Sequence, residues 1–239
     1  MNALVVVPTY NERDNLRPLV DGVLAHAGTR MLVIDDRSPD GTGEVADALA
    51  RERSGRLEVI HRAGPRGFGR SMLEGLSRAA AGTADLVVQM DADLSHDPKY
   101  LPQLAAASER ADLVVGSRYL HGVSVVNWPL RRIVLSAFAN HYVRAVTRLS
   151  VRDCTSGFRC WRREALGRLP LAHISSEGYS FLVEMLYLAD RIGCRIVESP
   201  IIFVERREGV SKMSPGVILE SALTPWRLLL AGAPRLPSK

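Results

Sequence analysis

Three aspartates and one histidine lie within seven residues, Asp91 to Asp97, in the segment MDADLSHDP. Carboxylates this close repel one another unless a cation joins them or water screens them. Asp91 and Asp93 are separated by one residue, and a turn after a strand could converge both on one hard divalent cation, directly or through water. An Asp-x-Asp pair alone is equally compatible with a solvated acidic loop. His96 is a further candidate ligand, but a single histidine before Asp-Pro is more typical of a cap or a surface residue.

A second acidic pair, Asp35 and Asp36, opens the segment DDRSPDG and favours the cation interpretation of the first pair. Asp36 could equally accept hydrogen bonds from a base or a ribose. Asp40 stands directly before Gly41, a position typical of a turn or of a helix cap.

Cationic side chains that could bind an anion occur further along the chain. They are Arg118, Arg131 and Arg132, followed by Arg206, Arg207 and Lys212 in the segment ERREGVSK. Guanidinium groups bind phosphates through two parallel hydrogen bonds. Any one of these arginines would be expected as a solvated surface residue, but their joint position after predicted strands indicates an anion-binding edge.

Other motifs give weaker signals. Gly64, Gly67 and Gly69 match neither the Walker A pattern nor the dinucleotide fingerprint, so we interpret them as a closely packed start of a helix. The three cysteines, at 154, 160 and 194, form no metal or disulfide pattern and are expected in the core of a protein from a reducing compartment. No Ser-His-Asp order indicates covalent catalysis.

Short apolar runs alternate with helical patterns over the first half of the chain. The predicted strands are 3–7, 31–34, 57–60, 86–90 and 113–115, and the predicted helices are about 13–27, 41–53, 68–81 and 98–108. This order predicts βαβ units in an α/β, doubly wound, mostly parallel sheet with helices on both faces. Ligands of such sheets bind outside the carboxyl ends of the strands, where both acidic pairs fall.

The second half of the chain has a different pattern of predicted elements. We predict an amphipathic helix over 131–149, marked by Ile133, Phe138, Val143 and Val146 at helical spacing. A helix over 177–192, a strand over 195–204 and a final amphipathic segment over 214–230 follow.

Composition excludes some classes of protein. With 46% hydrophobic and 24% charged residues, the 239-residue chain is ordinary for a globular protein. Its net charge of +5 suggests anionic partners, but without an aromatic platform, zinc spacing or basic stripe we expect no nucleic acid. No signal peptide is visible and no apolar run reaches the roughly 18 to 20 residues that span a bilayer, so we expect a cytoplasmic protein.

The chain resembles the dolichol-phosphate (polyprenol-phosphate) mannosyltransferases, inverting family 2 glycosyltransferases of the GT-A fold. The resemblance rests on eight segments in order between residues 5 and 214: VVVPTYNERDNL, VIDDRSPDGT, MDADLSHDPKYLP, GSRY, VVNWPLRRIVLS, RDCTSGFR, EGYSF..E and FVERREGVSKMS. PTYNE and the Asp-x-Asp pair are common to the wider family, whereas VNWPLRR, TSGFR and the Arg-to-Lys spacing of ERREGVSK are narrower.

The resemblance implies transfer of mannose from GDP-mannose to a polyprenyl monophosphate, giving polyprenyl β-mannosyl phosphate and GDP. The implied guanosine pocket is lined by Pro8, Tyr10 and Glu12, with Ile34 and Asp36 beside the base and ribose. Asp91, Ala92 and Asp93 would lie at the sugar diphosphate, with the aspartates holding Mg²⁺ or Mn²⁺. Arg206 and Lys212 would lie on a mobile loop that closes over the donor diphosphate.

The acceptor phosphate would be held by Arg118, Arg132 and Ser136. The implied catalytic residues are Asp91, Asp93, Arg118 and Lys212. We expect a GT-A catalytic domain over 1–213 and a C-terminal amphipathic tail over 214–239, which either lies in a membrane interface or packs on the domain. The protein would be peripheral on the cytoplasmic face of a membrane, and a membrane-anchoring protein partner is a further expectation.

The chain departs from the family pattern at two places. Ser95 stands where some relatives carry a glutamine, and Ala137 and Phe138 stand where many carry Arg-Gly, which removes one positive charge near the acceptor. Three alternatives stay open within the class: a polyprenyl-phosphate glucosyltransferase using UDP-glucose, an aminoarabinosyltransferase, and a family 2 enzyme with a soluble acceptor.

Overall fold

The computed structural model describes residues 2–174, 176–205 and 215–231, with side chains over 2–174, 176–205 and 220–230. Its strands are β1 Ala3–Thr9, β2 Thr29–Asp35, β3 Leu57–His61, β4 Leu86–Gln89, β5 Leu113–Ser117, β6 Val125–Val126, β7 Arg159–Arg162, β8 Ile196–Pro200 and β9 Phe203–Val204. Its α-helices are α1 Arg13–Leu24, α2 Thr42–Glu52, α3 Phe68–Ala80, α4 Leu101–Ala107, α5 Leu130–Thr147, α6 Arg163–Gly167, α7 Gly178–Arg191 and α8 Pro215–Ala231. Short 3₁₀ helices cover Pro98–Tyr100 and Leu171–His173.

Seven strands form one sheet in the order β3-β2-β1-β4-β7-β5-β8. Neighbouring strands are parallel except at β7, which runs antiparallel to both β4 and β5. The prediction of a doubly wound, mostly parallel α/β sheet is confirmed. β7 was not predicted because its sequence, RCWR, is short and half of it is arginine, yet Arg159 and Trp161 are fully buried.

The strand predicted over 195–204 is two strands. β8 ends at Pro200, which has no N–H to continue the ladder, and β9 leaves the large sheet to pair in parallel with β6. This second sheet places β9 next to the segment that follows β5, because that segment contains β6.

Both faces of the large sheet are covered, as predicted. Val6 and Ile34 point toward α3 and α7, whereas Val5, Val7 and Val33 point toward α1, α2 and α4. Successive residues of a strand face opposite sides, so strands that are apolar throughout can bury both faces. The result is two apolar layers that leave the carboxyl edge of the sheet to the polar loops.

The last helices lie together at one side of the molecule. The Tyr142 hydroxyl of α5 donates to the Ala222 carbonyl of α8 (2.6 Å), and α8 also packs on α7. The apolar side predicted for α5 is only partly buried, since Val143 is enclosed but Phe138 is 65% exposed. Over the described residues, no helix has the length and apolar character needed to cross a bilayer.

Candidate active site

Most of the predicted donor residues that the structure describes lie along one sheet edge. In the β1–β2 register Pro8 is opposite Ile34 and Thr9 is opposite Asp35, so the PTYNE loop and the second acidic pair are neighbours. The Met90 N–H donates to the Val6 carbonyl (3.1 Å), which places the start of the DAD segment on the other side of β1. The chain reverses its winding between β1 and β4, and the crevice at such a switch point is the usual ligand site of this architecture.

Buried groups brace the turn that carries Asp91. The Asp91 N–H donates to Nδ1 of His96 (3.1 Å), and the His96 ring, 2% exposed, stacks on Phe158 with 5.0 Å between ring centroids. The expectation of a cap or surface histidine is wrong. A Cβ at Gly157 would lie 3.3 Å from an Asp91 oxygen, so a larger residue would press on that carboxylate.

Asp93 is oriented by its own loop. One of its oxygens accepts from the Ser95 N–H (3.1 Å) and from the Ser95 hydroxyl. Ser95 therefore orients the Asp93 carboxylate directly. This is the position at which the family pattern has glutamine in some relatives.

The donor set fits a hard divalent cation. Among the described residues there is no cluster of three or more His, Cys, Asp or Glu side chains that could hold a metal, so Asp91 and Asp93 stand as a pair of carboxylates. Mg²⁺ is usually bound by one or two carboxylates and completed by substrate phosphates and water, rather than by an all-protein cage. A two-aspartate site thus matches an ion that arrives with a diphosphate.

Asp36 connects β2 to the glycine segment. Its buried carboxylate accepts from Nη1 of Arg62 (2.6 Å) and from the Gly67 N–H (2.8 Å). The glycine interpretation is confirmed, because α3 begins at Phe68 and a Cβ at Gly69 would lie 2.6 Å from the Ser176 carbonyl. The contact of Asp36 with a base or ribose stays a prediction.

Glu12, another residue of the predicted nucleoside pocket, is held through the start of α2 and the loop that follows β2. The Glu12 N–H donates to the Thr42 hydroxyl (2.9 Å), and the Thr42 hydroxyl and N–H both donate to Asp40. Asp40 is therefore the turn residue that its position indicated. Partial burial alone would raise the Asp40 pKa, but these hydrogen bonds lower it below the usual value. The Arg66 guanidinium lies 4.3 Å from the centroid of the Tyr10 ring.

Ile34 differs from its predicted neighbours. Its side chain is fully buried in the apolar layer beneath α3 rather than at the sheet edge. Pro8 is half-buried beside it in the register of the two strands.

On the acceptor side, Arg118 forms a buried ion pair with Asp153. Nε and Nη2 of Arg118 donate to the two Asp153 oxygens, each at 2.7 Å, and the Arg118 N–H donates to the same carboxylate (2.9 Å). Burial alone would raise the Asp153 pKa and lower that of Arg118. The attraction between the two charges outweighs burial, so the pKa of Asp153 is lowered and that of Arg118 is raised.

Arg118 and Arg132 meet at one aromatic ring. Their guanidinium carbons lie 5.6 Å and 4.0 Å from the Trp128 ring, and Arg132 also pairs with Glu205. Ser136 lies one helical turn after Arg132 on α5, where its carbonyl accepts from Asn140. The three predicted acceptor residues are therefore brought together, whereas Arg131 is exposed. Arg206, Arg207 and Lys212 lie outside the described residues.

Several supporting residues were not predicted. They are Arg62 behind Asp36, His96 behind Asp91, Asp153 behind Arg118 and Glu205 behind Arg132. Asp153 belongs to the segment RDCTSGFR, which carried the resemblance without a role for this residue. The prediction that the cysteines lie in the core is confirmed: Cys154, Cys160 and Cys194 are buried, and burial raises the pKa of Cys160 to about 12.

Carboxylates therefore follow β4 and guanidinium groups follow β5 at one edge of the mostly parallel sheet. The family model for glycosyl transferase family 2 matches residues 4–169, and the chain belongs to this family. It is 45% identical over 221 residues to the polyprenol monophosphomannose synthase of Mycolicibacterium smegmatis, with 91% of this chain and 83% of that protein covered. It is 43% identical over 232 residues to the undecaprenyl-phosphate mannosyltransferase of Micrococcus luteus, with 95% of each covered.

Solved structures share the fold at low sequence identity. Glucosyl-3-phosphoglycerate synthase from Mycobacterium tuberculosis, in complex with Mn²⁺, UDP and glucosyl-3-phosphoglycerate, matches with a TM-score of 0.66 at 21% identity, over 98% of this chain and 81% of that one. The same synthase with Mg²⁺ and UDP matches with a TM-score of 0.65 at 21% identity, over 98% and 80%.

Proposed function

We propose that the protein transfers mannose from GDP-mannose to a polyprenyl monophosphate with inversion, giving polyprenyl β-mannosyl phosphate and GDP. The observation that carries this proposal is the division of the sheet edge into an acidic part after β4 and a basic part after β5. Only β7 separates these strands, so at about 4.8 Å per strand the two parts lie roughly 10 Å apart. A sugar bridging a diphosphate and an acceptor phosphate fits that span.

The donor end consists of the loops after β1, β2 and β4. We assign Tyr10, Glu12 and Asp36 to the nucleoside, and Asp91, Ala92 and Asp93 to the sugar diphosphate, together with Arg206 and Lys212. A bound Mg²⁺ or Mn²⁺, held by Asp91 and Asp93, would neutralise charge on the leaving diphosphate. The solved structural neighbours include complexes with Mn²⁺ or Mg²⁺, which supports a divalent ion in this proposal.

The acceptor end consists of Arg118, Arg132 and Ser136. Nε and Nη2 of Arg118 donate hydrogen bonds to Asp153. We therefore assign the remaining nitrogen, Nη1, to the acceptor phosphate. Arg132 reaches the same place from α5, across the Trp128 ring. The names of the two relatives, both of which act on polyprenyl phosphates, support this acceptor.

The chemistry follows from the charges of the substrates. A phosphate oxygen of the acceptor is already anionic, so it can attack the anomeric carbon without a strong general base. As the new carbon–oxygen bond forms, the bond to the GDP oxygen breaks and GDP leaves with the electron pair. The arginines neutralise the acceptor phosphate, and the donor site neutralises the diphosphate. The two anions can then align on opposite sides of the anomeric carbon despite their repulsion.

A membrane surface is the partner that suits the lipid acceptor. Exposed apolar side chains cluster on the adjoining helices α5 and α8, with Val134, Leu135 and Phe138 on one and Leu223 and Trp226 on the other. Phe138 stacks on Tyr142, which bonds to α8, so the two groups adjoin. Large contiguous apolar patches on a protein mark interaction sites, and we assign this one to a peripheral membrane contact.

The first test is a radiolabelled transfer assay. Purified protein is incubated with Mg²⁺ or Mn²⁺, a short polyprenyl phosphate in detergent, and either GDP-mannose or UDP-glucose. We expect metal-dependent label in the lipid phase from GDP-mannose alone. Label from UDP-glucose alone would assign a glucosyltransferase instead, and no lipid label from either donor would contradict the acceptor.

The second test asks whether Asp93 binds the cation. It compares Asp93 with Asp97, an aspartate of the same segment that caps a helix. Asp93→Asn removes a proposed cation ligand, and we expect transfer to fall by roughly 10² to 10³-fold at saturating Mg²⁺. The matched control is Asp97→Asn, because Asp97 caps the 3₁₀ helix at Pro98–Tyr100 and pairs with Lys99. Near-full activity of Asp93→Asn would contradict the metal assignment.

A further inference from the structure

A cavity on the flank of α5 has the composition of an anion site. It measures about 390 Å³, is open to solvent, and is lined by Tyr119, Ala137, Asn140, His141, Arg144 and Arg152. Four of these residues are spaced i, i+3, i+4 and i+7 along α5, which places them on one face of the helix. Arginine and tyrosine supply the strong donors, and none of the six is acidic.

Two polar atoms of the cavity residues are buried without a protein partner. Across the part of the chain that the structure describes, Nε of Arg144 and the hydroxyl of Tyr119 make no hydrogen bond. A buried donor left unpaired costs about 1–3 kcal/mol, so native proteins nearly always satisfy such groups with a ligand or with water.

A carboxylate beside the cavity residue Arg152 is already engaged by backbone groups. Glu198 accepts from the backbone N–H groups of Arg152 and Asp153, at 2.8 and 3.0 Å. The Arg152 side chain makes one hydrogen bond, from Nη1 to the Leu120 carbonyl (2.7 Å). Positive charge therefore exceeds negative charge around the cavity.

We propose that this cavity is a phosphate-binding site, separate from the acceptor-phosphate residues, with Arg144 as its central ligand. Its ligand is a phosphate monoester or diester, carried either by a phospholipid headgroup or by a small soluble molecule. The planar guanidinium of Arg144 would bind two phosphate oxygens, and Tyr119 would donate a further hydrogen bond.

The position of the cavity along α5 favours a lipid headgroup as its ligand. Exposed apolar residues occupy the first part of the helix up to Phe138, and the cavity residues His141 and Arg144 follow. Phe138 and His141 are three residues apart, ~4.5 Å along the helix axis. This rise is close to the thickness of a headgroup layer, ~5–7 Å per leaflet. The lipid source rests on the membrane contact proposed above, whereas the phosphate site rests on the cavity alone.

The test compares binding by three variants and the wild type. The probes are phosphatidylcholine vesicles with and without phosphatidylglycerol, measured by co-sedimentation, and inorganic phosphate, measured by calorimetry. Arg144→Gln removes the charge, and Arg144→Lys keeps the charge but loses the planar fork. Arg148→Gln, at the exposed end of the same helix, is the control for charge alone.

We expect both Arg144 variants to bind phosphatidylglycerol vesicles roughly tenfold or more weakly, with Arg148→Gln close to wild type. If vesicle binding is unchanged but Arg144→Gln alone loses binding of inorganic phosphate, the site is supported with a soluble ligand. Equal losses in Arg144→Gln and Arg148→Gln, or wild-type binding by Arg144→Lys, would overturn the proposal. Arg152→Gln, at an exposed side chain, repeats the test if the Arg144 variants do not fold.

The site is distinguished from the acceptor site by kinetics. With a short, detergent-soluble polyprenyl phosphate, we expect Arg144→Gln to leave the acceptor KM unchanged, whereas Arg132→Gln raises it. An equal rise in both variants would place the cavity within the acceptor site and overturn a separate one. The vesicle and phosphate binding assays need no sugar donor, so their results do not depend on whether GDP-mannose is the substrate, whereas this kinetic comparison rests on the proposed function.

Discussion

At the scale of single residues, the site depends on side chains that hold other side chains. Asp153 is the strongest example, since it accepts three hydrogen bonds from Arg118 and is completely buried. A buried ion pair gains stability only when its geometry satisfies both charges, and removal of one partner leaves the other unpaired. Asp153 is therefore a positioning residue for Arg118 in the proposed acceptor site.

Asp153→Asn tests this role. We expect the free energy of unfolding to fall by about 3–5 kcal/mol, because Arg118 is left as a buried, uncompensated cation. We also expect the KM for the polyprenyl phosphate to rise while the KM for the sugar donor stays near wild type. The matched control, Asp112→Asn, breaks a pair in which Arg195 is exposed and Asp112 is partly buried, and it should cost less than Asp153→Asn because solvent screens the arginine left behind. Equal changes in both Michaelis constants would show a general structural defect instead.

The same pair sets an acid limit on stability. The folded-state pKa of Asp153 is lowered, so the stability from this group is present above its unfolded pKa of about 3.9 and is lost as pH falls toward the folded value. Below about pH 4, the wild type should lose stability more steeply than Asp153→Asn, by up to ~1.4 kcal/mol per pH unit. Urea denaturation at pH 2.5 to 6 measures both slopes, and parallel curves would contradict the assignment.

At the scale of elements, close packing of α3 on the sheet supports the donor crevice. A Cβ at Gly75 would lie well inside van der Waals contact with Val6 of β1, and 3.0 Å from Ile34 of β2. These strands end in the PTYNE and DDRSPDG loops, so the spacing of α3 affects the position of both loops.

Gly75→Ala should therefore destabilise the protein by about 1–3 kcal/mol through overpacking. The control is Gly167→Ala in α6, where an added Cβ meets nothing within 4 Å. There the lower entropy of the unfolded chain should make the variant neutral or up to ~1 kcal/mol more stable. Urea unfolding of both variants measures the difference, and a neutral Gly75→Ala would show that α3 can shift freely.

At the scale of the whole molecule, the proposed acceptor site at the sheet edge and the exposed apolar side chains of α5 and α8 would serve one lipid substrate. The acceptor residues Arg132 and Ser136 lie on the same helix as the exposed Phe138. A polyprenyl chain anchored in a bilayer would then present its phosphate to the site without leaving the membrane.

Trp226→Ser tests that arrangement on neutral vesicles, where charge plays no part. Trp226 is half exposed, so loss of its buried half should cost the fold about 2–3 kcal/mol, while vesicle binding by the folded protein should fall roughly tenfold with the lost exposed apolar area. Trp226→Phe should retain most of the binding. Co-sedimentation in which Ser and Phe variants behave alike would place the membrane contact elsewhere.

The sequence by itself determined the fold class and the location of the acidic site. Apolar runs and helical periods are local patterns, and parallel strands bring their carboxyl ends to one edge, so Asp91 and Asp36 could be placed there before any coordinates. The tertiary structure decided which partners hold them. Asp153 is 35 residues from Arg118 and Glu205 is 73 from Arg132, separations that no local pattern encodes. The insertion of β7, the burial of His96 and the α5 cavity likewise depend on which elements pack together.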